Sequence, residues 1–355
     1  MTRRSSFDLF GTTNQLIGMA YSSREITLLR CARRAMATVF EVLLPYGPAH
    51  AQAAAQDALG LIERLEAQLT VYRPTSEISR LNRLAELAPV TVETALFDLL
   101  AFAARLSEET AGAFDITAGP LIKAWGFYRR QGRVPEPDEL AEALGRVGMS
   151  HVELNAERRS VRFRKRGMEI NLGSIGKGYA LDCAAVRLWD EWGVRSALLH
   201  GGTSSVLAIG APPGEPRGWA VGIRHPWEPA RRLLTVRLRG RALATSGATF
   251  QNFAYNGRKL GHLLDPRTGR PAEGVALATA FAPTASEADA LATAFYILGV
   301  EPTRRYCETH PDVSAVILPD GTDAELEVIN LPSHDFDRAD PNARDLTDSP
   351  PLELA

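Results

Sequence analysis

The sequence has few cysteines, little net charge and no long apolar run, and each of these features argues against a class of protein. The three cysteines, Cys31, Cys183 and Cys307, lie far apart and form no CxxC pair, which disfavours a disulfide framework or a zinc site. The 40 basic and 42 acidic residues give a formal net charge of -2, so no basic field predicts nucleic-acid binding. No run is long and apolar enough to predict a transmembrane helix.

The N-terminal segment lacks the pattern of a secretion signal. Arg3 and Arg4 are followed by the polar run 5–8 (Ser-Ser-Phe-Asp) rather than by an apolar stretch. A signal peptide needs an apolar core after its basic residues. We therefore predict no signal peptide, no stable membrane insertion and a cytoplasmic location.

The composition is that of a globular protein with many short elements. Hydrophobic residues make up 45% of the 355 residues, charged residues 23%, and the chain holds 29 Gly and 22 Pro. These values are ordinary for a folded domain, and the Gly and Pro clusters mark frequent turns. We predict an N-terminal arm over 1–30, one domain over 31–330, and a disordered acidic tail over 331–355.

Two hydrophobic periods alternate irregularly along the chain. Apolar residues at helical spacing predict helices over 49–70, 93–110, 179–192 and 286–298. Alternating residues predict strands over 36–44, 196–200, 204–210, 219–225, 232–239 and 276–282, and antiparallel strands over 150–172. Irregular alternation of this kind favours an α+β architecture over a regular βαβ fold.

Asp289 and Thr293 form the first candidate site. The residues are four apart on a predicted helix, so their side chains share one face. A carboxylate with a hydroxyl is hard-oxygen ligation of the kind that Mg²⁺ accepts. Ser286 and Asp289 also have the spacing of a helix-capping pair, and on spacing alone capping is the favoured interpretation.

A glycine-rich loop over 171–178 (Asn-Leu-Gly-Ser-Ile-Gly-Lys-Gly) forms the second candidate site. It follows a predicted strand and opens a predicted helix, where backbone N–H groups and the helix dipole favour a phosphate. Lys177 could add a point charge. The pattern is neither a Walker A motif nor G-x-G-x-x-G, and a tight structural turn is an equal alternative.

A turn over 262–269 (His-Leu-Leu-Asp-Pro-Arg-Thr-Gly) forms the third candidate site. His262 and Asp265 are candidates for proton transfer, and Arg267 for contact with an anion. Solvated charges on a simple β-turn are the alternative. Tyr72 could stack on an aromatic ring system, although an aromatic residue is more often part of a core. The small-residue segments 201–202 and 244–247 could approach a ligand or only bend the chain.

The order of these motifs resembles that of the ApbE family, the FAD:protein FMN transferases. The resemblance runs from about Met36 to about Val316. It rests on these segments: 36–38 (Met-Ala-Thr), 72–74 (Tyr-Arg-Pro), 76–82 (Ser-Glu-Ile-Ser-Arg-Leu-Asn), 114–117 (Phe-Asp-Ile-Thr), 119–121 (Gly-Pro-Leu), 125–127 (Trp-Gly-Phe), 171–178, 244–247, 262–269 and 289–293. Two departures are Asn171, where Asp is common, and Ala37 in the usual Met-Gly-Thr.

The resemblance implies a two-lobed fold of antiparallel sheets flanked by helices, with FAD bound in a cleft between the lobes. It implies Mg²⁺, or Mn²⁺ in its place, on the diphosphate, with Asp289, Thr293 and the backbone carbonyl of Ser174 as its ligands, so that Asp289 could both cap and ligate. Positions that match FAD contacts are Met36, Tyr72, Ala113, Phe114, Asp115, Asn171, Lys177 and Leu263.

The implied reaction transfers FMN from FAD to a Thr or Ser hydroxyl of an acceptor protein and releases AMP. His262 or Asp265 is the candidate to take the hydroxyl proton, and Asp289 holds the metal. The segment 246–249 (Ser-Gly-Ala-Thr) is similar to the modified segment of acceptors, and we interpret it as a loop of this chain and not as a self-modification site. The alternatives are a metal-dependent FAD pyrophosphatase and a non-catalytic FAD-binding protein.

Overall fold

The computed structural model describes residues 13–21, 24–129, 131–228, 231–247, 252–255, 258–321, 324–338 and 352–354. Within these ranges the helices are α1 Ala51–Leu69, α2 Glu77–Leu84, α3 Thr94–Glu109, α4 Gly119–Ala124, α5 Pro137–Leu144, α6 Gly176–Asp190, α7 Ala285–Leu298 and α8 Val300–Thr309. All four helices predicted from periodicity are therefore confirmed, as α1, α3, α6 and α7. No described helix has both the length and the apolar composition that a membrane crossing requires.

Most of the described strands are short, as the frequent turn residues predict. They are β1 Thr13–Tyr21, β2 Arg24–Ala35, β3 Thr38–Pro45, β4 Val90–Thr91, β5 Val152–Asn155, β6 Ser160–Phe163, β7 Ala197–Gly201, β8 Ser205–Ile209, β9 Trp219–Arg224, β10 Arg232–Leu238, β11 Ala242–Gly247, β12 Asn252–Tyr255, β13 Arg258–Gly261, β14 Leu264–Asp265, β15 Arg270–Pro271, β16 Val275–Ala282, β17 Ser314–Pro319, β18 Glu327–Ile329, β19 Phe336–Arg338 and β20 Leu352–Leu354. The α+β class is confirmed.

A nine-stranded antiparallel sheet is the centre of the fold, with the strand order β1-β2-β3-β7-β8-β11-β16-β17-β18. Helices α1, α6, α7 and α8 pack on one face, with α3 against α7, and a four-stranded sheet, β19-β10-β9-β20, packs on the other. Strand β3 shows why both faces are apolar. Val42 and Leu44 belong to the helix-side core, and Leu43, between them, belongs to the core between the sheets, as a period of two requires.

Both the predicted arm and the predicted tail contain described strands. The predicted arm 1–30 includes the start of β2, which pairs with β3 from Leu28 to Ala35. In the tail 331–355, β19 pairs with β10 and β20 with β9. The other tail residues from 339 onward lie outside the described residues.

A smaller apolar cluster forms beside the main core. It joins Leu121, Trp125 and Leu264 with α5, and the indole N–H of Trp125 donates to the carbonyl of Gly269 at 2.7 Å. This hydrogen bond ties the hairpin of β14 and β15 to α4. The small cluster and the main core therefore face each other across a cleft.

Helices α6 and α7 cross at their first turns with almost no space between them. A Cβ added at Gly178 would lie 2.0 Å from the carbonyl oxygen of Ala285. Asp182 of α6 accepts the backbone N–H groups of Ala285 and Ser286 at 2.7 and 2.8 Å, so it caps α7. Thr284 is the N-cap residue of α7.

Candidate functional site

The cleft holds a cavity of about 590 Å³, which the loops at the ends of several elements line. Residues of both apolar clusters border it, among them Leu264 of the small cluster and Leu172 of the main core. Eleven of the thirteen predicted site residues line the cavity: Met36, Tyr72, Ala113, Asp115, Asn171, Ser174, Lys177, His262, Leu263, Asp289 and Thr293. The predicted residues that do not line it are Phe114 and Asp265.

Phe114 and Asp265 have other surroundings. Phe114 is fully buried in the main core. Asp265 forms a two-pronged ion pair with Arg267, with Nε to Oδ1 and Nη2 to Oδ2 both at 2.9 Å, and also accepts the backbone N–H of Arg267. The carboxylate thus fixes the turn and holds the Arg267 guanidinium.

Asp289 lies on the cavity wall and its carboxylate accepts from three donors, although only 5% of the residue is exposed. Its Oδ2 accepts the backbone N–H of Gly178 at 2.8 Å and the ammonium of Lys177 at 3.4 Å. Its Oδ1 accepts the hydroxyl of Ser205 at 2.5 Å. A carboxylate has about four lone-pair sites, so these three donors leave acceptor capacity toward the cavity.

The capping interpretation of Asp289 on its own helix is wrong. Helix α7 begins at Ala285, so Asp289 lies in its second turn, where the helix's own N–H groups are already bonded. Asp289 instead accepts an N–H from the first turn of α6, while Asp182 of α6 caps α7. Each helix is therefore capped by a carboxylate of the other.

Thr293 lies one turn beyond Asp289, as the spacing predicts. Its hydroxyl donates to the carbonyl of Asp289 at 3.3 Å and is 3.4 Å from the hydroxyl of Ser246. Ser174 and Gly176, from the glycine-rich loop, line the same cavity. The carboxylate of Asp289 and the hydroxyls of Thr293 and Ser246 therefore lie on the same part of the cavity wall.

Asp289 and Thr293 offer only oxygen atoms, the type of ligand that Mg²⁺ accepts. The described residues contain no group of three or more His, Cys, Asp or Glu side chains that could hold a metal. Mg²⁺ is commonly bound through one or two carboxylates while water and substrate phosphates complete its shell, and Asp289 can serve as that one carboxylate. The neighbouring Lys177 ammonium offers a second positive charge to an anionic substrate.

The glycine-rich loop forms a tight turn at the edge of the cavity. Asn171 accepts the N–H of Gly173 at 2.9 Å, which closes a local turn. Gly176 borders the cavity, whereas Gly178 is needed because α7 occupies the space of any side chain. The loop is thus both a tight turn and a cavity wall.

Tyr72 stands at the cavity mouth and is 62% exposed. Its ring lies 4.9 Å from that of Tyr128, tilted by 30°, and the Tyr128 hydroxyl donates to the carbonyl of Val71 at 3.2 Å. A large exposed aromatic face held by a second ring is suited to stacking on a planar ligand.

Asp115 and His262 complete the polar lining. Burial raises the pKa of Asp115 despite hydrogen bonds from its surroundings. Its carboxylate accepts the N–H and hydroxyl of Thr117 and the N–H of Met149, at 2.6 to 2.9 Å, and so holds two loops together. His262 packs edge-on against Phe127, with ring centroids 6.4 Å apart.

Sequence reasoning missed Ser205, which is fully buried and contacts Asp289 directly. The available signal was a polar residue at the start of an otherwise apolar strand, immediately after the polar loop 200–204. Thr203 and Ser204 of that loop also line the cavity, as does Thr38.

Comparison with known proteins gives matches to one family. The sequence pattern of the ApbE family matches residues 36–317. The FAD:protein FMN transferase of Treponema pallidum (strain Nichols) is 34% identical over 287 residues, which cover 77% of this chain and 79% of the relative. That of Salmonella typhimurium is 33% identical, with 66% and 67% covered.

Solved structures have the same fold. The ApbE protein of Thermotoga maritima aligns with a TM-score of 0.76 at 29% identity, over 85% of this chain and 97% of its own. The flavinyl transferase ApbE of Pseudomonas stutzeri aligns with a TM-score of 0.74 at 26% identity, over 91% and 96%.

Proposed function

The chain belongs to the ApbE family, and from that premise we propose that it transfers the FMN half of FAD to a Ser or Thr hydroxyl of an acceptor protein, releasing AMP. Relatives named FAD:protein FMN transferase support this reaction class. The observation that carries the proposal is Asp289, a buried carboxylate on the cavity wall with Lys177 and Thr293 beside it.

We assign the diphosphate of FAD to the wall formed by α6 and α7. Asp289, Thr293 and the carbonyl of Ser174 would hold Mg²⁺, or Mn²⁺ in its place. The ion, when bound, supplies positive charge that offsets the charge developing on the phosphates. Lys177 contributes an ammonium, and the first turn of α6 contributes the positive end of its dipole.

The planar rings of FAD need apolar and aromatic surfaces at the ends of the same cavity. Tyr72 at the mouth offers the largest exposed ring among the lining residues. Met36 and Leu263 line the cavity as well. We assign the flavin ring to the side of the cavity that these residues form.

The chemical step is an in-line displacement at the phosphorus that carries riboflavin. The acceptor hydroxyl oxygen forms a bond to that phosphorus, the bond to the bridging oxygen breaks, and AMP leaves with that oxygen. We assign removal of the hydroxyl proton to His262, which lines the cavity, rather than to Asp265, whose carboxylate binds Arg267.

The decisive experiment incubates the purified protein with FAD, MgCl₂ and an acceptor domain that carries the segment Ser-Gly-Ala-Thr. Flavin fluorescence that stays on the acceptor after denaturation, together with AMP in solution, is the expected result. Free FMN with AMP would instead identify an FAD pyrophosphatase, and unchanged FAD would identify a binding protein.

Two matched variants test the assignment of Asp289. Asp289→Asn keeps the shape of the side chain and removes its charge, so we expect transfer to fall by at least about 100-fold, as for loss of one strong electrostatic contact in a transition state. Asp190→Asn, on an exposed position of α6, should transfer at the normal rate. Normal transfer by Asp289→Asn would remove the metal assignment.

A further inference from the structure

A buried ionic network lies behind the polar loop that joins β7 to β8. Glu41 of β3 and His200 of β7 are directly opposite each other in the sheet and are only 6% and 9% exposed. Arg30 of β2 donates to Oε1 of Glu41, and Nε2 of His200 is 2.8 Å from Oε2. On its other side the cross-strand neighbour of His200 is the apolar Val206.

The bonding partners of His200 determine its protonation. Nδ1 is 2.9 Å from the carbonyl oxygen of Gly202, and a carbonyl can only accept. Burial by itself raises the pKa of Glu41, but hydrogen bonds and charge from His200 and Arg30 together hold that pKa below its usual value. Glu41 also binds the Arg30 guanidinium, which favours its carboxylate form, so each ring nitrogen of His200 faces an acceptor.

Gly202, whose carbonyl His200 contacts, determines the conformation of the loop. Gly202 has φ +65°, a conformation suited to glycine, and a Cβ there would lie 2.4 Å from the hydroxyl of Thr38. Its N–H donates to the carbonyl of Val39 at 2.8 Å, and its carbonyl accepts from His200. Both polar groups of this one peptide residue are thus fixed to neighbouring strands.

The loop forms one wall of the cavity. Gly202, Thr203 and Ser204 line it, the carbonyl of Ser204 accepts the N–H of Thr245 at 2.7 Å, and the next residue, Ser205, holds Asp289. A displacement at Gly202 would therefore change the shape of the wall next to Asp289.

We propose that His200 is a positioning residue that is protonated on both ring nitrogens and, held by Glu41, fixes the loop 202–204 as one wall of the FAD site. The inference rests on the proposed function only in treating the cavity as that site. His200 does not line the cavity, so its effect on FAD is transmitted through the carbonyl of Gly202.

Two variants separate positioning from simple structural support. In Glu41→Gln, a neutral His200 can donate from Nδ1 to Gly202 and accept the amide N–H of the new side chain at Nε2, so the loop stays in place. In His200→Gln, a single amide cannot span both partners in the same way. We expect FAD to bind to Glu41→Gln within about twofold of the wild type, and to His200→Gln about threefold to tenfold more weakly, the value of one hydrogen bond.

Fluorescence titration with FAD measures the affinity of both variants. His334→Gln is the matched control, because the side chain of His334 is 81% exposed, and it should bind FAD like the wild type.

The nitrogen-15 NMR spectrum of the His200 ring, assigned by its loss in His200→Gln, tests protonation without FAD. Two protonated nitrogens at neutral pH are expected, and one unprotonated nitrogen would overturn the inference. So would wild-type FAD affinity in a His200→Gln protein whose thermal unfolding shows it to be folded. If the wild type itself failed to bind FAD, the proposed function would fall, while the NMR spectrum would still decide the protonation of His200.

Discussion

The crossing of α6 and α7 makes a sharp prediction about two helical glycines. Replacing Gly178 by Ala would place a Cβ 2.0 Å from the oxygen and 2.3 Å from the carbon of the Ala285 carbonyl, and 2.6 Å from the nitrogen of Ser286. All three atoms belong to the backbone of α7, so no side chain can rotate away. The helices must separate by more than an ångström to reach ordinary contact distance.

The expected magnitude follows from two opposing effects. Overpacking of a tight core costs about 1–3 kcal/mol and occasionally more, and three backbone contacts put Gly178→Ala at the upper end. Helix propensity returns about 1 kcal/mol, because Ala is favoured over Gly in a helix. We therefore expect a net loss of about 2 kcal/mol in the free energy of unfolding.

Gly60→Ala is the matched control. Gly60 lies within α1, and a Cβ there would first meet the flexible guanidinium of Arg33 at 3.4 Å. Only the propensity gain applies, so this variant should be more stable than the wild type by about 0.5–1 kcal/mol. Urea unfolding followed by circular dichroism measures both. If Gly178→Ala were as stable as Gly60→Ala, the packing argument would be refuted.

Two further perturbations have a calculable direction. Ala37 adopts φ +61° in the β2–β3 turn, a conformation that costs an L-residue about 1–2 kcal/mol. Ala37→Gly should therefore raise the free energy of unfolding by about 0.5–1 kcal/mol, once the larger entropy of Gly in the unfolded chain is subtracted. An unchanged urea midpoint would contradict this. Asp57 of α1 accepts hydrogen bonds from Arg187 and Trp192 at 2.7 and 2.9 Å, and these bonds lower its pKa. The Asp57 carboxylate therefore stabilises the folded protein above the ordinary aspartate pKa, and this contribution is lost as pH falls through the lowered pKa. Asp57→Asn should lose at most about 1 kcal/mol at neutral pH and match the wild type in acid, and a difference that persisted in acid would refute the ionic origin.

The long helices could be predicted from the sequence because their apolar residues recur on one face. The short helices α2, α4, α5 and α8 were not predicted, since a helix of ten residues or fewer depends on packing that no local window contains. Helix α2 did carry a local signal, because Ser is a favoured N-cap residue. The hydroxyl of Ser76 accepts the N–H of Ser79 at the start of this helix.

The site shows the same division between local and long-range information. The pairing of Asp289 with Thr293 follows from helical spacing, and the sequence predicts it. The donors to Asp289 from Gly178 and Ser205 lie 111 and 84 residues away along the chain. Only the crossing of α6 with α7 and the pairing of β8 in the sheet bring them together, and no periodicity encodes either.

The reciprocal capping of α6 and α7 explains how one carboxylate can serve both the fold and a ligand. Burial raises the pKa of Asp182, and the nearby charge of Asp289 raises it further, so the two carboxylates repel each other inside the protein. Both carboxylate oxygens of Asp182 accept hydrogen bonds, from Ala285 and Ser286. The side chain of Asp289 is fixed by Gly178 and Ser205 before any ligand arrives, so its remaining lone pairs face the cavity at no further cost in side-chain entropy. A cation at that position would lower the repulsion between the two carboxylates, and the fold would gain stability from the same contact that binds the substrate.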